Sequence, residues 1–177
     1  MAATRIISIV GRKNAGKTTL AVALVAELAR RGRRVMTMKH THHPVETDRS
    51  GSDSWRHFHE GRAERVLLVT PDHRVLFERA AGEADPVALA REYFAGADIV
   101  LAEGFKDSVL PKIEVFRPTV AKQPLYRPDG PDASLWAAIV TDDYAFEAGC
   151  PVIRFQDTMW LQLLASLAWD RAILVPA

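Results

Sequence analysis

The chain is poor in the features that would place it outside the cell, in a membrane or on nucleic acid. Cys150 is its single cysteine, which excludes an internal disulfide and favours a reducing, cytoplasmic compartment. The net charge is only +1, so neither nucleic acid nor an anionic membrane is expected as a partner. No apolar run approaches the roughly 20 residues of a membrane span. The first predicted strand begins too early to leave room for a signal peptide.

Length and composition predict a single domain that covers residues 1–177. A chain of 177 residues is long enough for one well-formed core and short for two. Its apolar content of 48% and charged content of 25% are ordinary for a globular protein. The chain shows neither an internal repeat nor a low-complexity segment.

One motif stands out, a glycine-rich loop directly after the apolar run Ile6–Val10. Residues 11–18 read G-R-K-N-A-G-K-T and match the phosphate-binding pattern G-x-x-x-x-G-K-[ST]. Such a loop turns successive backbone N–H groups toward an anion, and the helix after it adds its positive dipole end. We expect Lys17 to reach the β- and γ-phosphates and to serve in catalysis, and Thr18 to hold Mg²⁺. The predicted nucleotide-binding residues of this segment are Gly11, Asn14, Ala15, Gly16, Lys17, Thr18 and Thr19. The alternative is a chance match in a glycine-containing loop.

Hydrophobic patterning predicts strands that alternate with helices. The predicted strands are about Arg5–Val10, Val35–Lys39, Val66–Thr70, Val75–Arg79, Ile99–Ala102, Lys112–Phe116, Ala137–Thr141 and Val152–Phe155. The predicted helices are about Lys17–Arg31, Pro86–Phe94 with Asp85 as its N-cap, and Thr158–Trp169. The proline-containing stretch Arg117–Pro131 is expected to be a surface excursion. This order predicts an α/β P-loop fold, a mostly parallel sheet with helices on both faces and an added antiparallel hairpin.

A carboxylate follows the apolar strand Ile99–Ala102. Ligands of such sheets collect at the carboxyl ends of the strands, so Glu103 is predicted to face Mg²⁺, directly or through water, and to act in catalysis. The usual residue at this place is Asp, so Glu is a departure. Gly104 would let the backbone approach the γ-phosphate. The alternative is an ion pair of Glu103 with Lys106 or Lys112.

Histidines and carboxylates are concentrated between His40 and Asp53. We expect a polar loop near the γ-phosphate, in which Lys39 neutralises phosphate charge and His40 lines the nucleotide site. Asp48 is predicted to hold Mg²⁺ through water. Two alternatives stay open, a transition-metal site built from these histidines and carboxylates and a solvated loop without a function.

Thr141 and Asp142 follow a late strand, where the nucleotide base is often read. A carboxylate can accept from both N1–H and N2–H₂ of guanine, whereas adenine offers no such pair of donors. We therefore expect Asp142, or Asp143 in its place, to select GTP. The alternative is that these carboxylates cap a following helix.

Taken together, these motifs resemble those of the MobB-type adaptor proteins of molybdopterin-guanine dinucleotide biosynthesis. The resemblance extends from Ile6 to about Phe155 and rests on the segments G-R-K-N-A-G-K-T-T-L, K-H-T-H-H, D-R-S-G-S-D-S, L-A-E-G-F-K and V-T-D-D. It implies a dimeric GTP-binding protein with weak Mg²⁺-dependent GTPase activity. It also implies a partner, the guanylyltransferase that joins GMP to molybdopterin, and molybdopterin as a further ligand.

Two other functions remain open on the same scaffold. One is a GTP-dependent metallochaperone of the nickel-insertion kind, although the chain has no Cys-x-x-Cys motif and no N-terminal histidine tract. The other is a small-molecule kinase or ATP-dependent ligase, which would favour ATP over GTP and for which Arg117 and Arg127 are the hints.

Overall fold

The first strand of the chain forms the centre of a mostly parallel sheet. The computed structural model describes residues 3–80, 82 and 85–176. Contacts within it divide the chain into two units, residues 1–40 with 85–177, and residues 41–84. The expectation of a single domain stays a prediction beside this division.

The strands and helices of the larger unit follow the predicted order, with helices between the early strands and four successive strands between residues 99 and 154. Its strands are β1 (Arg5–Gly11), β2 (Val35–Lys39), β5 (Ile99–Glu103), β6 (Lys112–Phe116), β7 (Trp136–Thr141), β8 (Val152–Arg154) and β9 (Ile173–Leu174). Its helices are α1 (Lys17–Arg30), α3 (Pro86–Tyr93) and α4 (Trp160–Arg171), with a short 3-10 helix at Ala133–Leu135. The smaller unit holds α2 (Asp53–His59), β3 (Arg65–Val69) and β4 (Arg74–Glu78).

The strand order of the sheet is β2-β5-β1-β6-β7-β8, and all these neighbours are parallel. The short strand β9 pairs antiparallel with the start of β1, at Arg5 and Ile6, whereas β6 pairs with β1 only from Ser8 onward. The predicted fold class is therefore confirmed, a mostly parallel sheet with helices on both faces and a separate antiparallel hairpin.

Alternate residues of β1 enter two different cores, as the two-residue period of a strand requires. Ile7 and Ile9 are fully buried in a cluster with residues of α1 and α4. Ile6 is buried on the other face, with Val100 and with Ala90 of α3. Both faces are covered, which explains why β1, β5, β6 and β7 are almost continuously buried, in β6 even at the charged residues Lys112 and Glu114.

The ends of α1 follow simple local rules. Gly16 precedes it at φ 100°, Leu20, Leu24 and Leu28 form its buried face, and Gly32 follows it at φ 77°. Left-handed backbone favours glycine, so the predicted C-terminal end is confirmed within one residue. Asp85 also caps α3 as predicted, accepting a hydrogen bond from the Val87 N–H at 3.0 Å.

The structure departs from the predicted elements in several places. The sequence reading missed α2 and β9, the hairpin strands each begin one residue earlier than predicted, and α4 begins at Trp160 rather than Thr158. Met159, directly before α4, has φ 62°, a conformation for which no glycine or asparagine gave a signal. Among the described residues, no helix is long and apolar enough to cross a membrane.

Candidate functional site

The glycine-rich loop joins β1 to α1 through two positions that only glycine fits well. At Gly11, with φ 146°, a Cβ atom would lie 2.6 Å from the carbonyl oxygen of Val115 on β6. At Gly16, φ is 100°. Asn14 also adopts a left-handed conformation, with φ 65°, and Ala15 is buried. The loop therefore has the curled backbone that an anion site needs, at the N-terminal end of a long helix.

Lys17 closes this loop. Its Nζ donates a hydrogen bond to the carbonyl oxygen of Arg12 at 2.9 Å. Burial lowers the pKa of Lys17 below its ordinary value, and the nearby Glu103 carboxylate acts in the opposite direction. Thr19 lies beside it in the first turn of α1 and is exposed.

Thr18 and Glu103 meet where α1 begins and β5 ends. The Thr18 hydroxyl lies 3.0 Å from each carboxylate oxygen of Glu103, to which it donates. Lys39 pairs with the same carboxylate, Nζ to Oε1 at 3.0 Å, and its Nζ lies 3.5 Å from the Thr18 hydroxyl. Strand register explains this meeting, because Lys39 of β2 lies directly opposite Glu103 of β5. Glu103 is only 9% exposed, so its charge needs this cation.

The alternative partners that the sequence suggested for Glu103 are engaged elsewhere. Lys106 pairs with Asp107 at 3.4 Å. Lys112 is buried in β6, and its Nζ donates to the carbonyl oxygens of Ser108 and Leu110 at 2.8 and 3.2 Å. The cation beside Glu103 is thus Lys39, which the sequence reading had assigned to phosphate.

Gly104 and His40 are in contact next to this carboxylate. Gly104 has φ 99°, and a Cβ atom there would lie 3.0 Å from the His40 carbonyl oxygen. The His40 ring lies against Phe105, with 4.9 Å between the ring centroids. The Gly104 N–H is bonded to the Ile9 carbonyl oxygen at 2.9 Å. Gly104 therefore permits close packing of β5 against the end of β2, which the sequence reading did not anticipate.

Asp48 belongs to the smaller unit, where it organises the start of α2. Its carboxylate accepts from the Ser52 hydroxyl at 3.0 Å, and Ser52 in turn accepts from the Trp55 N–H at 3.2 Å. A hydrogen bond from the Ser54 hydroxyl is the main cause that lowers the pKa of Asp48. Its predicted role toward Mg²⁺ stays a prediction. Within the described ranges, no three His, Cys, Asp or Glu side chains are placed to hold a metal ion.

Asp142 lies at the end of β7, as predicted, but it is paired with Arg117. Arg117 follows β6 directly and holds three partners at once. Its Nη1 contacts the Asp142 carboxylate, its Nε donates to the Ala15 carbonyl oxygen at 3.0 Å, and its guanidinium carbon lies 4.6 Å from the Phe155 ring centroid. The sequence reading mentioned Arg117 only as a hint of a kinase lid. Its place directly after a strand was the signal that could have linked it to the site.

Thr141 and Asp143 shape the turn around this pair. The buried Thr141 hydroxyl accepts from the Asp143 N–H at 3.1 Å, and the Asp143 carboxylate accepts from the Ala145 N–H at 3.0 Å. In the described residues after β7, the next α-helix is α4, so these carboxylates cap a turn and not a helix.

Comparison with known proteins adds the family. A family model described as MobB, molybdopterin guanine dinucleotide synthesis protein B, matches residues 6–142. The chain belongs to the MobB family. The MobB match contains the glycine-rich loop, Lys39, Glu103, Arg117 and Asp142, so both carboxylate–cation pairs of the larger unit fall inside it.

Individual MobB relatives agree with this assignment. The chain is 32% identical over 143 residues to a molybdopterin-guanine dinucleotide biosynthesis adapter protein of Haemophilus influenzae, covering 80% of this chain and 76% of the relative. It is 33% identical over 119 residues to the protein so named in Escherichia coli, covering 62% of this chain and 63% of the relative. The chain thus spans less than two thirds of that second relative.

Solved MobB structures share the fold. A crystal structure of Bacillus subtilis MobB superposes with a TM-score of 0.67 at 22% identity, covering 92% of this chain and 97% of the other. A second structure, of molybdopterin-guanine biosynthesis protein B, gives a TM-score of 0.66 at 24% identity and covers 93% of this chain and 97% of the other. At these identities the likeness supports the architecture, while residue roles are argued from the contacts above.

Proposed function

We propose that this chain is a GTP-binding adapter of molybdopterin guanine dinucleotide biosynthesis, with weak Mg²⁺-dependent GTPase activity. The observation that carries the nucleotide part is the meeting of Thr18 and Glu103 beside the glycine-rich loop, 3.0 Å apart. The adapter part follows from membership of the MobB family and from the names of its relatives. A cytoplasmic location belongs to the same proposal.

The triphosphate would lie against the loop at the start of α1. Backbone N–H groups between Gly11 and Gly16 would face the phosphate oxygens, and the α1 dipole would add attraction. Lys17 would exchange its bond to the Arg12 carbonyl oxygen for the β- and γ-phosphates, a stronger charge-assisted contact.

Mg²⁺ would take oxygen ligands from the Thr18 hydroxyl and, directly or through water, from Glu103. In the structure, the Lys39 ammonium group lies beside these same oxygens, where Mg²⁺ would bind. A divalent ion would therefore displace Lys39, whose side chain is 58% exposed and able to turn toward the triphosphate. In this scheme the ion stabilises charge that develops on the phosphates during hydrolysis. We expect turnover to be weak, as the family resemblance implies.

Guanine would be read by Asp142. Its carboxylate would accept from N1–H and N2–H₂, while Arg117 stays fixed by its bond to the Ala15 carbonyl oxygen. Because Ala15 belongs to the glycine-rich loop, Arg117 would link the base-reading end of the site to its phosphate-binding end.

We also propose that the protein acts as a homodimer beside a guanylyltransferase partner, through the hairpin of the smaller unit. Leu67 and Val69 of β3 and Leu76 of β4 share one hairpin face and are 57%, 60% and 44% exposed. The other candidate contact, the aromatic residues of α4, is already used within the larger unit. Trp160 packs against the core, and Trp169 lies beneath the guanidinium groups of Arg5 and Arg33. A Leu67→Glu, Val69→Glu double variant should therefore sediment as a monomer, and an unchanged dimer would contradict the assignment.

Nucleotide choice tests the main proposal. Purified protein is titrated calorimetrically with GTP and with ATP, each with and without Mg²⁺. GTP should bind at least about tenfold better than ATP, since a site built to pair a polar edge rejects an analogue that lacks it. Equal affinities would contradict the assignment of Asp142 and favour the kinase or ligase function.

A further inference from the structure

A groove lined by basic side chains lies on the outer side of the glycine-rich loop. It has a volume of about 600 Å³ and is formed by the loop and by the segment after β6. Its cationic residues are Arg12, Lys13, Lys122 and Arg127. The rest of its wall comes from Val120, Ala121 and Gln123. No acidic residue of the described chain is among these lining residues, so the groove is strongly positive in a protein of net charge +1.

This groove is separate from the site described above. Lys17, Thr18 and Glu103 are assigned to the triphosphate and Mg²⁺. None of these three residues lines the groove. The backbone and the side chain of Arg12 have different surroundings. Its carbonyl oxygen accepts a hydrogen bond from Lys17. The Arg12 side chain instead lines the groove. The same loop thus presents its backbone to one site and its cationic side chains to another.

The segment that supplies Lys122 and Arg127 is held in place by buried charge. Glu114 of β6 is 1% exposed, and its two carboxylate oxygens accept from the N–H groups of Leu125 and Tyr126 at 2.6 and 3.0 Å. Tyr126 is itself buried, at 7% exposure. A long connection is thereby fixed near its middle by a buried carboxylate. Burial raises the pKa of Glu114, while these two N–H groups and the charge of Arg12 act in the opposite direction.

The start of the same segment is tied to the glycine-rich loop. Arg117 donates to the Ala15 carbonyl oxygen at 3.0 Å, and its own carbonyl oxygen accepts from the N–H groups of Val120 and Ala121 at 2.9 and 3.1 Å. Hydrogen bonds therefore connect the two walls of the groove, and its cationic residues are held near one another without a bound ligand. Such preorganisation reduces the entropy lost on binding.

We propose that this groove is a second anion site, which binds the phosphate monoester of a small organic molecule while the triphosphate occupies the glycine-rich loop. Arg12 and Arg127 provide planar forks for phosphate oxygens, and Lys13 and Lys122 provide point charges. The volume is that of a small-molecule site. Val120 and Ala121 give the groove an apolar side, so the organic part of the ligand should add affinity beyond that of inorganic phosphate.

The test uses phenyl phosphate as the probe, titrated calorimetrically at low salt into protein saturated with GTP and Mg²⁺. A Lys122→Gln, Arg127→Gln double variant should weaken binding by about tenfold, because two of four cations are lost. The matched control, Lys106→Gln with Arg171→Gln, removes one lysine and one arginine that do not line the groove. It should change the affinity by less than about twofold. Inorganic phosphate should bind more weakly than phenyl phosphate.

A second arm separates the two anion sites. Phenyl phosphate is titrated into nucleotide-free Lys17→Ala protein, in which the glycine-rich loop is disabled and the groove is intact. Undiminished binding supports the groove. Loss of binding there, competition by GTP, an equal effect of both double variants, or no detectable binding to the unmodified protein would each overturn the proposal. Failure of the unmodified protein to bind GTP would contradict only the nucleotide assignment, since this arm does not need it.

Discussion

Two strand ends of the larger unit each carry a carboxylate paired with a cation, but the two cations are held very differently. Glu103 at the end of β5 is paired with Lys39, a side chain that is 58% exposed. Asp142 at the end of β7 is paired with Arg117, which also donates to Ala15 and covers Phe155. Lys39 is a flexible point charge, whereas Arg117 is a planar group fixed on three sides.

This difference indicates two kinds of site. A carboxylate whose cation is easily exchanged suits a metal ion that comes and goes with the nucleotide. A carboxylate whose cation is fixed suits recognition of shape, because its own position changes little. Glu103 and Asp142 look alike in the sequence, each following an apolar strand, and only their partners separate them.

The largest effect should come from a change to Lys17 in the glycine-rich loop. Lys17→Ala removes a partly desolvated charge that, in the proposed site, faces two phosphates, and should cost about 3 kcal/mol, roughly a hundredfold, in GTP affinity. Calorimetry measures the affinity. Thermal unfolding serves as the control, and it should show a folded variant because Lys17 is not a core residue. Unchanged affinity in a folded variant would contradict the whole nucleotide assignment.

A change to Glu103, in the pair with Lys39, should lower GTP hydrolysis more than GTP binding. Glu103→Gln keeps the shape of the side chain but weakens its attraction for Mg²⁺. We expect GTP hydrolysis to fall by more than about tenfold, and GTP binding by less than about threefold. Phosphate release and calorimetry give the two values. If both fall equally, Glu103 is a structural residue.

A change to Asp142, in the pair with Arg117, should alter the preference between guanine and adenine and leave phosphate binding unchanged. Asp142→Asn loses charge-assisted bonds to guanine worth roughly 1.5–3 kcal/mol each, and should reduce the preference for GTP over ATP. ATP affinity should stay nearly constant. Asp143→Asn is the matched control, since Asp143 accepts from the Ala145 N–H in its own turn. An undiminished preference in the first variant, with a loss in the second, would move base reading to Asp143.

The smallest effect should come from a change to Lys39, the cation paired with Glu103. Lys39→Met removes the competitor for Mg²⁺ and should raise Mg²⁺ affinity by about threefold, since the lysine of this pair is largely exposed to solvent and its attraction for Glu103 should be worth about 1 kcal/mol. Without Mg²⁺ the variant should unfold at a slightly lower temperature, because Glu103 loses its partner. Reduced GTP affinity at saturating Mg²⁺ would show that the displaced Lys39 also contacts the triphosphate, whereas unchanged Mg²⁺ affinity would contradict its role as a competitor of the ion.

Most of the larger unit could be predicted because its rules are local. The apolar run of β1, the glycines of the loop and the capped start of α3 each act within a few residues of the chain. The meeting of Lys39 with Glu103 was within reach too, since parallel strand ends share one edge. The pairing of Arg117 with Asp142 follows the same rule, because Phe116 and Thr141 are register partners in the parallel strands β6 and β7, and Arg117 and Asp142 are the next residues after them.

The missed elements have equally specific reasons. Helix α2 begins at a serine cap inside a stretch so polar that it resembled a loop, and it is only seven residues long. Strand β9 has two residues, too few for any periodic pattern. The role of Gly104 toward a phosphate stays a prediction, but nothing in the sequence indicated that a Cβ atom there would meet the carbonyl oxygen of His40, a contact between strand ends.

The antiparallel strand β9 has a consequence for the order in which the molecule can be completed. It seals the part of β1 that β6 leaves open, with Val175 donating to the Thr4 carbonyl oxygen at 2.7 Å. β1 is therefore among the last strands to gain all its hydrogen bonds, although it is the first strand of the described residues. Contacts so distant along the chain slow folding, and until β9 arrives the strand that leads into the glycine-rich loop keeps an unpaired edge. Fusion or truncation at β9 should thus disturb the start of β1, at the opposite end of that strand from the glycine-rich loop.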